Sequence, residues 1–149
     1  MNHPFYDILP MVIGKLQKDF YQQMTEKVKS HRITTAQLIY LLILSDGESM
    51  TLKEITNAAN FNKAYTTKII RTLYHRGLVS NDRKNICNRK YNVFLTDEGR
   101  DFVKIIEEHA KTTRNEIFSS LKPDEKENII AALKDALNYL EPKEEDPDV

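Results

Sequence analysis

The chain has 149 residues, of which 40% are apolar and 30% are charged, and its formal net charge at pH 7 is zero. This length and apolar fraction predict one globular domain, with or without helical arms, and argue against a disordered chain. One cysteine excludes an intrachain disulfide and a cysteine-rich zinc site. The N-terminus shows no signal-peptide pattern, and the longest apolar stretch, residues 38–44, is too short to cross a bilayer, so we expect a cytoplasmic protein with no membrane partner.

Two helices are predicted in the first third of the chain. Apolar residues recur at spacings of three to four and predict an amphipathic first helix. They are Leu9, Ile13, Leu16, Phe20, Met24 and Val28. A second helix is predicted from about Thr34 to Ser45, ended by Asp46 and Gly47. Its residues 38–44 are apolar nearly all round, so we expect this helix to form the buried centre.

Residues 51–75 carry the start signals of two consecutive helices. Thr51 and Glu54 form a capping box, Asn60 suits a tight left-handed turn, and Asn62 suits the N-cap of the next helix. The inner side of that helix is predicted to hold Thr66, Ile69, Ile70 and Leu73. Its outer side is predicted to hold Lys63, Ala64, Thr67, Lys68 and Arg71. These outer residue types suit a major groove, because arginine can bind guanine through two hydrogen bonds and threonine or alanine can touch a thymine methyl group.

A basic hairpin is predicted next, with strands at residues 78–80 and 91–95. Its loop carries four cations, Arg83, Lys84, Arg89 and Lys90. Residues 61–91 hold eight Lys and Arg against one acid, so the zero net charge conceals a basic block over the second helix of the pair and the hairpin. Such a loop can reach phosphates or the minor groove, although a solubilising hairpin tip is the alternative. The order predicts a mainly α protein with a small β-hairpin wing, a winged helix-turn-helix.

Two further helices are predicted after the hairpin. Thr96 suits the N-cap of a long helix over about residues 97–120, and Pro123 suits the first position of a last helix. Both carry apolar stripes, and together with the first helix they hold more apolar surface than a small winged-helix core can cover. The stripes either pack against each other within one chain or interleave with a second copy. We favour a homodimer, because DNA-reading folds of this type commonly double up to match two half-sites.

Other kinds of site are not supported by the residues. The sequence shows no nucleophile–base pair, phosphate loop or paired carboxylates, so no enzymatic activity is expected. The four histidines lack metal-ligand spacing, and no metal or cofactor is predicted. Cys87 has basic neighbours and could act as a thiol sensor, but we favour an incidental cysteine. Two functions remain, a sequence-specific DNA-binding regulator and a winged helix used only for protein–protein assembly, and the basic block favours the first.

Three motifs together resemble those of one family. Residues 33–38, Ile-Thr-Thr-Ala-Gln-Leu, are similar to a Leu-Thr-x-x-Gln entry into the second helix. Residues 95–100, Leu-Thr-Asp-Glu-Gly-Arg, are similar to a Leu-Thr-x-x-Gly-Arg exit from the wing. The run between the recognition helix and the wing is matched by Leu73, Gly77, Leu78 and Val79. The chain thereby resembles the MarR family of bacterial and archaeal transcriptional regulators over nearly its whole length.

The resemblance implies a homodimeric repressor of a double-stranded, pseudo-palindromic operator, relieved by a small aromatic effector bound in the cleft between lobes. Residues 1–32 and 97–141 would form a helical dimerisation lobe made of the N- and C-terminal helices. Residues 33–96 would form the winged helix-turn-helix domain, and residues 142–149 a flexible acidic tail. Carried over by position, the major-groove residues would be Lys63, Ala64, Tyr65, Thr66, Thr67, Lys68 and Arg71.

The predicted wing departs from the family's pattern. Arg89 would be the wing arginine, carried over by position. Family wings usually carry an Asp-Arg-Arg/Lys triplet whose last residue stands seven positions before a threonine. Counted back from Thr96, residues 87–89 read Cys-Asn-Arg, so the acid and one arginine are missing. The other loop cations are therefore expected to share the phosphate contacts, namely Arg83, Lys84 and Lys90.

Overall fold

Helices dominate the computed structural model, which describes residues 5–85, 87 and 89–140. The helices are α1 (Phe5–Lys27), α2 (Thr35–Ser45), α3 (Leu52–Ala59), α4 (Lys63–His75), α5 (Asp97–Ile117) and α6 (Pro123–Leu140). The strands are β1 (Met50–Thr51), β2 (Val79–Asn81) and β3 (Asn92–Leu95), and they form one antiparallel sheet in the order β1-β3-β2. This architecture confirms the predicted fold class.

The chain divides into two units, residues 1–113 and residues 114–149. The first contains α1 to α4, the sheet and most of α5, and the second contains the end of α5 and α6. The predicted tail, residues 142–149, lies outside the described residues. Among the helices of the described residues, none is long and apolar enough to span a membrane.

Helix α2 forms the centre of the first unit, as its sequence predicts. Its side chains Leu38, Tyr40 and Leu41 are fully buried. A capping box that the sequence pattern did not single out starts the helix: Thr34 Oγ1 accepts from the Gln37 amide at 3.2 Å, and Gln37 Oε1 accepts from the Thr34 amide at 3.1 Å. The family-like entry motif is therefore a helix-start signal with a physical cause.

The joint between the wing and α5 is built around Thr96. Its hydroxyl donates to Gly77 O at 2.6 Å and accepts from the Gly99 amide at 3.0 Å, which confirms Thr96 as the N-cap. Its own amide donates to Leu78 O at 3.1 Å. Helix α5 passes so close to this turn that a Cβ at position 99 would stand 2.0 Å from Leu78 O. Only glycine fits there, so the exit motif fixes the start of α5 against the turn before β2.

One strand was missed, and several boundaries differ from the sequence-based expectation. Strand β2 covers Val79–Asn81 and not residues 78–80, and β3 begins at Asn92 and not at residue 91. Strand β1 was not predicted, because two residues carry no periodicity. It pairs with β3 through Met50 opposite Val93 and Thr51 opposite Asn92. Helix α5 ends at Ile117 and not near residue 120.

The second unit consists of the last residues of α5, the connection that follows and α6, and it contains a mainly apolar cavity. Helix α6 begins at Pro123 as predicted, and Glu125 Oε2 accepts from the Lys122 amide at 2.8 Å. A cavity of about 370 Å³ in this unit is lined mainly by apolar side chains. Helix α6 also exposes large apolar residues, among them Ile130 and Leu137, which are 54% and 61% exposed. This is the apolar face that the spacing predicts.

Candidate nucleic-acid interface

The helix-turn-helix consists of α3, a turn and α4. The Thr51–Glu54 capping box starts α3, as predicted, with Glu54 Oε2 accepting from the Thr51 amide at 2.7 Å. This hydrogen bond, followed by that from the Thr51 hydroxyl, holds the pKa of Glu54 below its usual range. Asn60 adopts the left-handed conformation (φ 55°), and Asn62 Oδ1 accepts from the Tyr65 amide at 2.8 Å. Both asparagines therefore have the predicted roles.

The inner face of α4 anchors the helix to the core. Ile69, Ile70 and Leu73 are buried, as the spacing predicts. Thr66 is also fully buried, and its hydroxyl shares a 2.8 Å hydrogen bond with the Tyr40 hydroxyl. Thr66 stands in the stretch that the resemblance assigns to the major groove. Its burial gives it a core role, so the interface proposed below leaves it out.

The outer face of α4 presents a row of polar and basic side chains. Exposed along it are Lys63, Ala64, Tyr65, Lys68 and Arg71. Spacings of three, four and seven residues place Ala64, Lys68 and Arg71 on one side of the helix surface. Thr67 is half-buried, and its hydroxyl donates to Lys63 O at 2.9 Å. Since that hydroxyl is engaged with the backbone, the methyl group is the part of Thr67 suited to an apolar contact.

An aromatic chain that the sequence pattern did not identify supports the N-terminus of α4. The ring of Phe61 stacks on Tyr40 at 6.2 Å between centroids and meets Tyr65 at 5.0 Å. Tyr65 thus packs against Phe61, which in turn packs against the buried Tyr40. The spacing of four residues between Phe61 and Tyr65 was the sequence feature that could have predicted this contact.

The hairpin between β2 and β3 carries the predicted wing cations. Lys84, Arg89 and Lys90 are exposed. Arg83 places its guanidinium over the Tyr91 ring, 5.2 Å from the centroid, and donates from Nε to Asn85 O at 3.0 Å. The cations therefore lie in one hairpin, as the sequence predicts.

Arg76 belongs to the basic block but has a structural role. Its guanidinium donates to His31 O at 2.6 Å, to Arg32 O at 2.9 Å and to Gln37 Oε1 at 3.3 Å. It ties the end of α4 to the connection between α1 and α2. Sequence alone did not indicate this role, because the partners lie about 40 residues away.

The described residues contain no candidate metal-binding site. Within residues 5–85, 87 and 89–140, no group of three or more His, Cys, Asp or Glu side chains could hold a metal ion. His31 packs on the Phe102 ring at 4.7 Å between centroids. Cys87 is exposed in the wing. Neither residue is part of a donor cluster.

A capped helix pair with a basic outer face, beside a basic hairpin, defines the class of winged helix-turn-helix DNA-binding proteins. The sequence model of the MarR family matches residues 33–85. The HTH-type transcriptional regulator BilQ of Clostridioides difficile strain CD3 is 22% identical over 128 residues, which is 86% of each chain. The chain therefore resembles the MarR family of winged-helix transcriptional regulators, and the predicted resemblance is confirmed.

Solved structures agree with this fold. A MarR transcriptional regulator from Methanosarcina mazei Go1 has a TM-score of 0.80 at 20% identity, with 89% of each chain covered. A second similar structure is that of BpsR from Bordetella bronchiseptica, whose DNA binding is regulated by 6-hydroxynicotinic acid. Its TM-score is 0.66 at 25% identity, and the alignment covers 83% of this chain and 97% of the BpsR chain.

Proposed function

We propose that this protein is a homodimeric repressor that binds a pseudo-palindromic operator and leaves it when a small aromatic ligand binds. The observation that carries the DNA-binding part is the outer face of α4, which is basic and exposed while its inner face is buried. In this proposal the α4 contacts are Lys63, Ala64, Tyr65, Thr67, Lys68 and Arg71. The wing contacts are Arg83, Lys84, Arg89 and Lys90.

The two halves of this interface have different tasks. Side chains of α4 reach base edges, where Arg71 and Lys68 can bind guanine and the methyl groups of Ala64 and Thr67 can touch thymine. The wing cations act on phosphates and groove electrostatics, which fix register without reading sequence. Specificity therefore depends on α4, and much of the salt dependence depends on the wing.

Titrations at several salt concentrations test DNA binding. Duplexes from the region flanking the gene are compared with random duplexes by mobility shift or anisotropy. A DNA-binding regulator loses affinity steeply and linearly in log–log form as salt rises, because phosphate neutralisation releases counterions. A winged helix used only for protein assembly binds no duplex under these conditions.

A double substitution of Arg89 and Lys90 by alanine tests the wing. Affinity should fall for operator and random duplexes alike, and the log–log salt slope should become shallower by roughly one unit for each phosphate that is no longer neutralised. Replacing Lys111 and Lys134, two exposed cations of α5 and α6, removes the same charge and should leave the slope nearly unchanged. An unchanged slope in the wing variant would remove the wing from the interface.

The homodimer is supported by apolar side chains that the single chain leaves exposed. On α1, Met11 is 70% exposed, and on α6, Leu137 and Leu140 are 61% and 75% exposed. We propose that residues 1–32 and 97–141 bury these faces against a second copy, while residues 33–96 bind DNA. Large exposed apolar faces of this kind mark protein interfaces.

Light scattering at micromolar concentration should report about twice the chain mass of 17.4 kDa. Leu137→Asp should shift the protein towards monomer and weaken operator binding. Asn138→Asp adds the same charge one residue along α6 and is the control. A monomeric wild type would contradict the dimer, and equal effects of the two variants would contradict the assigned face.

Ligand relief is supported by a groove between α1 and α2. It has a volume of about 430 Å³, and its lining includes Lys18, Tyr21 and Ile39. A cation beside a ring and an aliphatic side chain suits an aromatic carboxylate. Addition of 6-hydroxynicotinic acid or benzoate should release bound DNA, and Lys18→Ala should weaken that response. Lys15→Ala, on the same helix, is the control, and the absence of release by either acid would contradict this step.

A further inference from the structure

Asp82 and Asn92 face each other where the wing loop leaves the sheet. Asp82 Oδ1 accepts from the Asn92 amide at 2.7 Å, and Asp82 Oδ2 accepts from Asn92 Nδ2 at 2.8 Å. The Asp82 amide in turn donates to Asn92 O at 3.1 Å. The two residues are joined by three hydrogen bonds, two of them to a carboxylate, and we call this arrangement the wing clasp.

Asp82 is the only acid in residues 61–91, which carry eight Lys and Arg. Simple charge counting treats it as a residue that weakens the basic block. Both of its carboxylate oxygens are nevertheless engaged with Asn92. The hydrogen bonds from Asn92, and to a smaller degree the nearby Lys84, hold the pKa of Asp82 below its usual range. The carboxylate therefore stays ionised at neutral pH and remains a strong acceptor.

The residues beside the clasp order the first turn of the loop. Asn81 Oδ1 accepts from the Arg83 amide at 3.1 Å, and Arg83 Nε donates to Asn85 O at 3.0 Å. The guanidinium of Arg83 also covers the ring of Tyr91, the residue before Asn92. Arg83 is thus held next to the clasp by contacts with residues on both sides of the hairpin, Asn85 and Tyr91.

We propose that Asp82 is a positioning residue of the wing: through Asn92 it fixes where the loop leaves the sheet, and it thereby strengthens DNA binding although it is acidic. The proposal rests on the proposed DNA-binding function. A loop that is already ordered loses less conformational entropy when it contacts DNA. The clasp supplies that order from one carboxylate and one amide.

The sign of one substitution separates positioning from charge. Removing an acid from a DNA-contacting surface raises affinity when only Coulomb forces act, because DNA is a polyanion. Asp82→Ala removes the charge together with both side-chain hydrogen bonds of the clasp. Positioning therefore predicts weaker binding, and charge alone predicts tighter binding.

The double variant Asp82→Asn with Asn92→Asp exchanges the two partners. The side-chain oxygen at position 82 then accepts from the backbone amide of residue 92, and the side-chain nitrogen at position 82 donates to the new carboxylate. Both side-chain hydrogen bonds therefore return at unchanged net charge. Anisotropy on one operator and one random duplex should show a loss of about fivefold to tenfold for the single variant Asp82→Ala. The exchange should recover most of it. Glu48→Gln, which removes one exposed acid outside the wing, should not weaken binding.

Trypsin cleavage of the DNA-free proteins provides a second readout. Cleavage after the loop cations should be faster in the single variant and slow again in the exchange. Tighter binding by Asp82→Ala, or an exchange as weak as the single variant, would overturn the proposal. Wild-type protein that binds no duplex, with cleavage still rescued by the exchange, would overturn the DNA-binding function and support the clasp.

Discussion

Gly99→Ala should destabilise the protein because α5 starts against the backbone of the turn before β2. A Cβ at position 99 would lie 2.0 Å from Leu78 O and 3.0 Å from Leu78 C. The carbonyl cannot rotate away freely, since it accepts from the Thr96 amide at 3.1 Å. Helix and turn must therefore separate by roughly an ångström, because Cβ contacts below about 3 Å are essentially never found.

The expected magnitude follows from two opposing effects. Overpacking of a filled site costs about 1–3 kcal/mol, and a clash with backbone belongs at the upper end. Alanine in place of glycine within a helix stabilises the folded state by up to about 1 kcal/mol. The net loss is about 2 kcal/mol, which for a chain of this size lowers Tm by roughly 4–8 °C.

Thermal unfolding followed by circular dichroism measures this effect at one fixed protein concentration, since dimerisation makes Tm depend on concentration. Gly14→Ala is the matched control, because Gly14 lies within α1 and a Cβ there meets no heavy atom within 4 Å. Its Tm should stay unchanged or rise. A Gly99→Ala protein as stable as wild type would refute the close approach of α5 to Leu78.

Two further predictions concern the stability of the helix-turn-helix. Ionised Glu54 stabilises the fold above its unfolded-state pKa, and this contribution is lost as the pH falls through its lowered folded-state pKa. Glu54→Gln should therefore lower Tm at neutral pH, and the difference from wild type should shrink in acid; a constant difference would contradict this. Thr66→Val leaves the buried Tyr40 hydroxyl without its 2.8 Å partner and should cost about 1–3 kcal/mol in denaturant unfolding. Adding Tyr40→Phe should recover part of that loss, and additive losses would contradict the pairing.

Helix starts and faces could be predicted from the sequence because their causes are local. The Thr51–Glu54 box, the caps at Asn62 and Thr96, and the left-handed Asn60 all depend on residues at most three positions apart. The inner and outer faces of α4 follow in the same way from the helical period. The helix-turn-helix could therefore be predicted, because its capping and turn residues act on their immediate neighbours in the sequence.

Contacts between distant residues could not be predicted. Arg76 reaches His31, 45 positions earlier, and Asp82 reaches Asn92 across the hairpin. In the sequence both residues count only as charges, and their partners appear once the chain has folded. The same holds for Gly99. The exit motif contains this glycine, but the reason that no side chain fits there is the nearby carbonyl of Leu78, which the sequence does not reveal.

The base-reading role of α4 is tested most directly by Arg71→Ala, measured on the operator, on operators changed at single positions and on random duplexes. Lys111→Ala, an exposed cation of α5, is the charge control. We predict a loss of about 1–3 kcal/mol on the operator, concentrated at one base position, with unchanged Tm and little effect on random DNA. Operator affinity equal to that of wild type would contradict the assignment of α4 as the recognition helix.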